Sequence, residues 1–388
     1  MPRLSPRMGR IVGSATIAMN NMVAQKRAGG VDVVSFSVGE PDFDTPAHVR
    51  QAAKDALDAG KTKYTPGAGI PELRRAVAAT AQREQRIPCE AKNVLVAPAK
   101  QCVLYSILAI ADHGDEVLLP DPAWVSYDPM VRWAHATPVP VPLDEAFRMT
   151  PDAVAQAITP RSKAIVLNSP SNPTGGVNTP ADVRGIVELA VDHDLWIVSD
   201  EIYRHLQYEG EPLSPAALPG GFDRTLTVDG LSKSFAMTGW RMGWVIAPQP
   251  AFGAVDRLQS HSLTHATSFA QYGAVAALTG PQDSVGEMRA EFQARRDLIV
   301  QGLRSLPGVT CPEPMGAFYV FPRFDRRQWG NLRDEELAME LLDKANIAVT
   351  AGSNFGPRGQ DHLRFSYATS RERIAEGLAR LERFQSGL

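Results

Sequence analysis

The chain has 388 residues, of which 44% are hydrophobic and 21% charged, with a formal net charge of -3. That length exceeds what one simple core organises and implies two domains, or one large domain with a smaller satellite. Lys and Arg are spread along the chain, which excludes a nucleic-acid binder built on a basic run, and the ordinary globular composition excludes extensive disorder.

The N-terminus, Met1-Pro2-Arg3-Leu4-Ser5-Pro6-Arg7, has no hydrophobic core of a signal peptide. No apolar stretch approaches the length of a membrane span. Cys89, Cys102 and Cys311 are far apart and odd in number, so neither a disulfide framework nor a metal pair is read from them. Cys102, in an apolar helical stretch, reads as a buried structural thiol. The expectation is a soluble, cytoplasmic protein with no metal site.

From residue 46 to 285, short apolar runs alternate with amphipathic helical patterns. Val94–Ala97, Val117–Leu119, Ala164–Leu167, Leu195–Ser199, Leu226–Val228 and Trp244–Ala247 read as buried strands. Between them lie helices such as Ala181–Val191, opened by Thr179 as N-cap and Pro180 at the first helical position. Buried strands separated by helices predict a large α/β domain with a mainly parallel sheet flanked by helices. After residue 286 the pattern changes to a long charged helix (Glu287–Leu306), a strand at Phe318–Phe321, a helix at Asp334–Ala345, strands at Ile347–Thr350 and Leu363–Tyr367, and a final helix from Ser370 to Phe384. This predicts a smaller α+β domain, residues 286–388, completed by residues 1–45. The boundary falls within or beside a long helix, which suits a hinge better than a flexible tether.

Four segments carry chemistry. In Leu231-Ser232-Lys233-Ser234, followed by a Gly-rich stretch to Arg241, a lysine amine is placed to react with an aldehyde cofactor and an arginine fork to clamp its phosphate. A surface lysine opening a loop is the plain alternative. In Val198-Ser199-Asp200-Glu201-Ile202-Tyr203, Asp200 ends an apolar strand, at the edge where open α/β sheets bind ligands. It reads either as a helix cap or as a carboxylate that keeps a pyridine nitrogen protonated. Tyr203 is a donor to the ring's phenolic oxygen or an ordinary core tyrosine. Asn168-Ser169-Pro170-Ser171-Asn172-Pro173 is a rigid turn, with cis peptides a natural geometry, that aims the Asn172 amide. Val94-Leu95-Val96-Ala97-Pro98-Ala99-Lys100 leads a strand into a helix whose free N–H groups at Ala99 and Lys100 suit an anion. Gly67-Ala68-Gly69 starts like a dinucleotide fingerprint but lacks its third glycine and a preceding strand.

Together these residues resemble the fold-type I pyridoxal-phosphate (PLP) enzymes, and closely the class I/II aminotransferases of the bacterial aspartate aminotransferase subgroup. The resemblance spans nearly the whole chain. It includes Ser14-Ala15-Thr16, Gly39-Glu40-Pro41-Asp42, Lys63-Tyr64, Trp124-Val125-Ser126-Tyr127, Asn168 to Gly175, Ser199 to Tyr203, Ser232 to Gly243 and Leu363-Arg364-Phe365-Ser366. It implies that Lys233 forms the Schiff base with PLP and then shuttles the substrate proton. Asp200 pairs with the pyridine nitrogen, Asn172 and Tyr203 bond the ring's 3′-oxygen, and Trp124 stacks on the ring. Arg241, with backbone at Ala99 and Lys100, holds the phosphate, and Tyr64 reaches the site of the other subunit in a homodimer. Arg364 forks the substrate carboxylate, with Gly39, Trp124, Asn172 and Thr16 also against the substrate. From its own residues alone Arg364 reads as an exposed strand arginine.

There are two departures from the family pattern. Gly230 stands where many relatives carry a phosphate-binding serine, and the helix Gln101–Ala111 has no basic residue where some aspartate-specific relatives place a lysine. The implied activity is ping-pong transfer of an amine from aspartate or a close analogue to a 2-oxo acid, foremost 2-oxoglutarate. Aminotransferases for aromatic, arginine-like or other amino acids and a PLP-dependent C–S lyase are the rival readings. A PLP-sensing regulator is a further rival, but it would call for a basic DNA-binding extension, and none is seen.

Overall fold

The computed structural model describes residues 15–387, together with Ser5, Met8, Gly9 and Gly13. Ser14, quoted in the family resemblance, lies outside the described residues. The centre is a seven-stranded sheet. Across the sheet the strands run Val94–Ala97, Gly243–Ile246, Thr225–Gly230, Trp196–Asp200, Ser162–Asn168, Glu116–Asp121 and Thr137–Pro142. All are parallel except Gly243–Ile246, which is antiparallel to both neighbours. The interior strands are near-continuous apolar runs because helices cover both faces, leaving no face for an alternating polar side.

The sheet sets the site by direction alone. Ala97, Asn168, Asp200 and Gly230 end their strands at one edge, and Gly243 begins its strand there, paired with Ala97 and Gly230. A chain leaving each strand at that edge must turn, and the turns carry the chemical motifs. Both Ser169-Pro170 and Asn172-Pro173 are cis, as is Asp121-Pro122.

Two differences from the sequence reading have physical causes. Thr137–Pro142 was not read as a strand because Pro138, Pro140 and Pro142 break the apolar pattern. Among the described residues it pairs only with Glu116–Asp121, and prolines are tolerated on an edge. The long helix runs Asp283–Ser305, starting earlier than its charged stretch suggests. Other boundaries move by a residue or two, as expected of fraying ends.

A second set of short strands lies outside the main sheet. Leu363–Ser366 sits between Tyr319–Val320 and Thr350–Ala351, antiparallel to both. Val34–Ser35 pairs in parallel with Ile347–Ala348, so the N-terminal segment joins elements more than 300 residues later in the chain. Their shared core packs Phe36, Phe292, Phe318, Trp329 and Phe365 against the long helix and the final helix Arg371–Ser386.

Gly377 lies on that final helix where a Cβ would run into the ring of the buried Phe36. The contact is with an aromatic ring held by the core, so overpacking outweighs the helix-propensity gain of alanine. Gly377→Ala should destabilise the protein by about 1–3 kcal/mol. Chemical denaturation checks this as a lower midpoint at unchanged slope.

Candidate active site

At the carboxyl edge of the sheet lies a cleft of about 320 Å³, with Tyr319 and Arg364 among its lining. Of the residues singled out from sequence, Thr16, Gly39, Ala99, Lys100, Trp124, Asn172, Asp200, Tyr203, Lys233, Arg241 and Arg364 all line it. Tyr64 does not. It stands 90% exposed, edge-on to His265 at 5.4 Å between ring centroids, in a separate depression with Lys63 and Phe269.

Lys233 sits in the short helix Leu231–Ser234 that follows the Thr225–Gly230 strand. Its Nζ donates to the Gly39 carbonyl at 2.6 Å and lies 5.7 Å from the Phe318 ring centroid. Burial pulls its ammonium down to about 8. The charges of Arg241, Arg364 and Lys100 add to the fall, and Glu40 opposes it. A cation that titrates so near neutrality is a usable nucleophile and base.

Asp200 is buried at the end of its strand. The Tyr127 hydroxyl donates to its Oδ2 at 2.7 Å and the Ile202 N–H to its Oδ1 at 3.3 Å. Burial raises its carboxyl to about 6, with Asp229 adding to the rise, while the bonds from Tyr127 and Ile202 and the charge of Lys233 work against it. The neighbouring turn is tied in by side-chain amides. Asn168 Nδ2 donates to the Asp200 carbonyl at 3.0 Å, and Asn168 Oδ1 accepts the Asn172 N–H at 3.0 Å.

Arg364 is 2% exposed, not the solvent-facing strand arginine its alternation suggests. Its Nη1 donates to Asn172 Oδ1 at 3.1 Å and its Nη2 to the Ser37 carbonyl at 2.7 Å. The guanidinium lies between the rings of Tyr319 and Phe355, 4.7 and 5.1 Å from their centroids. Its buried Nε has no hydrogen-bond partner among the described residues. A buried cation with an open donor is held ready for an anion. Tyr203 and Tyr319 share a hydroxyl–hydroxyl bond of 3.0 Å beside it.

At the opposite end the helix Ala99–Ile110 starts without a side-chain cap. Gly243 packs against that start so closely that a Cβ would stand 2.8 Å from the Ala99 nitrogen. Arg241 lies on the wall nearby, with a left-handed φ of 57°. Lys100, on the first turn, extends over the Trp124 ring, 4.9 Å from its centroid.

The model of the family described as aminotransferase class I and II matches residues 31–381. The chain belongs to the class I and II aminotransferases. It is 42% identical to an aspartate/prephenate aminotransferase of Cereibacter sphaeroides over the whole of both chains. An aspartate aminotransferase of Thermus thermophilus, solved with maleate, superposes with a TM-score of 0.93 at 42% identity, covering 99% of this chain and 100% of that one. An aromatic aminotransferase of Pyrococcus horikoshii superposes at 0.88 and 40% identity, covering 94% and 99%. Similarity of this degree fixes the reaction class, amino-group transfer, while spanning more than one named substrate.

The sequence reading of this aminotransferase passed over four residues. Tyr127 was quoted only as part of a motif, yet its hydroxyl holds Asp200. Tyr319 falls in the predicted strand Phe318–Phe321, where its position in the sequence marks no further role. Ser37 and Thr350 reach Arg364. None gives a signal in one dimension, because each acts on a group far along the chain.

In cofactor-free aminotransferase, Lys233 should be modified by an anionic amine reagent such as trinitrobenzenesulfonate with a rate that climbs through pH 8. The amine is free above the folded pKa and protonated below it. Exposed lysines should reach their midpoint about two units higher. Peptide mass mapping across pH reads both, and a midpoint for Lys233 near 10 would contradict the depressed value.

Proposed function

We propose that this aminotransferase holds PLP in the cleft and passes the amine of aspartate, or a close analogue, to a 2-oxo acid, foremost 2-oxoglutarate, in a ping-pong cycle. The observation that carries the reading is the charge inventory of the described lining. Lys100, Lys233, Arg241 and Arg364 surround one carboxylate, Asp200. A phosphate accounts for Arg241 and a substrate α-carboxylate for Arg364, and Lys233 is the reacting amine. Lys100, which forms no ion pair among the described residues, is left for a second substrate carboxylate. It stands one residue before Gln101–Ala111, the helical stretch that carries no base.

The residues fit the cofactor. Arg241 and the N–H groups at Ala99 and Lys100 would hold its phosphate, Trp124 its ring face, Asp200 its ring nitrogen, and Asn172 and Tyr203 its phenolic oxygen. PLP, when bound, supplies an electrophilic aldehyde carbon and a ring that accepts electrons from the substrate. Arg364 would orient the substrate so that its Cα–H points at Lys233, whose amine would take up and hold that proton. Asp200, held by Tyr127, keeps a negative charge where the ring nitrogen carries a proton. The aromatic walls of Trp124 and Tyr319 would exclude water from the reacting carbon.

The same reading divides the chain into a large domain, residues 46–285, and a small one, residues 1–45 with 286–388. Lys233 and Arg364 then fall on opposite sides of a closing hinge. Exposed Tyr64 supports a homodimer in which it reaches the partner's phosphate site. Three separate cysteines, all free and buried, and the lack of any described helix long and apolar enough to cross a membrane support a cytoplasmic enzyme.

With PLP-loaded protein, aspartate alone should convert the bound cofactor to its amine form with release of one 2-oxo acid per site. Lys233→Ala should slow this by about a thousandfold or more, because the proton carrier is gone. Lys100→Met should cut kcat/KM for aspartate about 10- to 100-fold and leave alanine within about threefold, the loss of one charge-assisted bond. An aspartate-inert enzyme that turns over aromatic donors would replace the substrate assignment.

A further inference from the structure

Behind the cleft lies an ionic layer, buried at Arg204 and Asp229 and open to solvent at Glu84, that the transfer chemistry does not use. Arg204, 6% exposed, donates from Nε to Asp229 Oδ2 at 2.6 Å and pairs through Nη1 with Glu84 Oε2 at 2.9 Å. Asp229, 2% exposed, also accepts the Gly230 N–H at 2.6 Å, just before the helix that carries Lys233. Beside them, Gln85 donates to Glu201 at 2.6 Å, and Glu201 follows Asp200. Glu201 in turn takes the hydroxyls of Ser199 at 2.9 Å and Ser214 at 2.6 Å. Glu84 and Gln85 are adjacent on one π-helical turn, Ala81–Gln85, an element that recurs near functional sites. That single turn therefore pins both chain ends at the floor of the site.

We propose that Arg204, Asp229 and Glu84 are positioning residues for transamination, fixing the segments that carry Asp200 and Lys233 and setting the net charge beneath them. The inference rests on the roles proposed above for Asp200 and Lys233. A hydrophobic cluster would hold the same segments without the desolvation cost of the two buried charges, Arg204 and Asp229. An ionic layer does something a hydrophobic one cannot, because its field reaches the neighbouring strand.

That neighbour is the site itself. Asp200 lies opposite Val228, one residue from Asp229, on the adjoining strand. Asp200 also faces Tyr127, Tyr203, Cys102 and Lys233. Lys233 faces Glu40, Arg241, Arg364 and Lys100. Within the layer, His205 stands beside Glu84 and Arg204, with Arg289 beyond it, and burial keeps that imidazole neutral. Asp229 and Glu84 carry two negative charges and Arg204 one positive. Removing a carboxylate makes the floor more positive and releases protons from the site, whereas removing Arg204 does the reverse.

The test uses PLP-loaded enzyme and the pH midpoint of the bound cofactor's visible absorbance. Asp229→Asn should lower the midpoint by about half to one pH unit, Glu84→Gln, at a solvent-screened position, by about 0.2 to 0.5 unit, and Arg204→Met should raise it by about half to one unit. A purely structural role has no sign, so shifts in one common direction, or no shifts, overturn the inference. If Arg204→Met does not fold, Arg204→Lys keeps the charge and should leave the midpoint within about 0.2 unit, while the two carboxylate variants carry the sign test. A wild-type enzyme with no titrating band overturns the assignment of Lys233 and this inference with it. A normal wild-type band with unsigned shifts overturns this inference alone.

Discussion

The bond from the Lys233 ammonium to the Gly39 carbonyl, 2.6 Å long, joins 194 residues of separation in one contact. It brings the floor of the main sheet against the N-terminal loop, and the loop is itself seated by distant elements. A Cβ at position 39 would collide with the Tyr319 hydroxyl, and Ser37, two residues earlier, gives its carbonyl to Arg364. The amine, the arginine fork and the tyrosine pair are thus fixed by one meeting of three chain segments. Burial of that meeting point is what lowers the lysine's proton affinity.

The electrostatics of the cleft follow from that burial. Several cations share a space with one carboxylate, an arrangement that water would screen and a protein interior does not. The fold tolerates it through partial remedies. Arg364 is stacked between rings and bonded to Asn172 and a backbone carbonyl, Lys100 lies over Trp124, and Lys233 holds its proton less tightly than a free lysine. Each remedy leaves donor capacity open, as at Arg364 Nε. The site is therefore complementary to anions, and the binding of anionic groups relieves the repulsion that folding leaves in place.

The parallel sheet supplies the complementary constraint. Strands that share a direction deliver their ends to one edge, so Asn168, Asp200 and Gly230 arrive together although their motifs are spaced some 30 residues apart. The single antiparallel strand, Gly243–Ile246, brings the Gly-rich stretch after Lys233 back to the start of the Ala99–Ile110 helix. Glycine at 243 permits the close approach that makes an anion cradle of that helix start.

By itself the sequence determined the order of strands and helices, the edge at which chemistry would gather, and the family. Apolar runs and turn residues are local signals, and Lys233, Asp200 and Arg241 stand in motifs dense enough to be read in one dimension. What only the tertiary structure decided is which side chains share an environment. Arg364 alternates like an exposed strand arginine but is buried, because both neighbouring strands and two aromatic rings close over it. Lys100 was read for its backbone, yet its side chain adds a cation to the cleft. Thr137–Pro142 is a strand despite its prolines because it lies on an edge. The Arg204–Asp229–Glu84 layer gave no sequence signal, since pairing is defined by distant partners: Arg204 joins Asp229, 25 residues after it, to Glu84, 120 residues before it. Burial and pairing depend on three-dimensional neighbours, and those are properties of the packed chain rather than of any stretch of it.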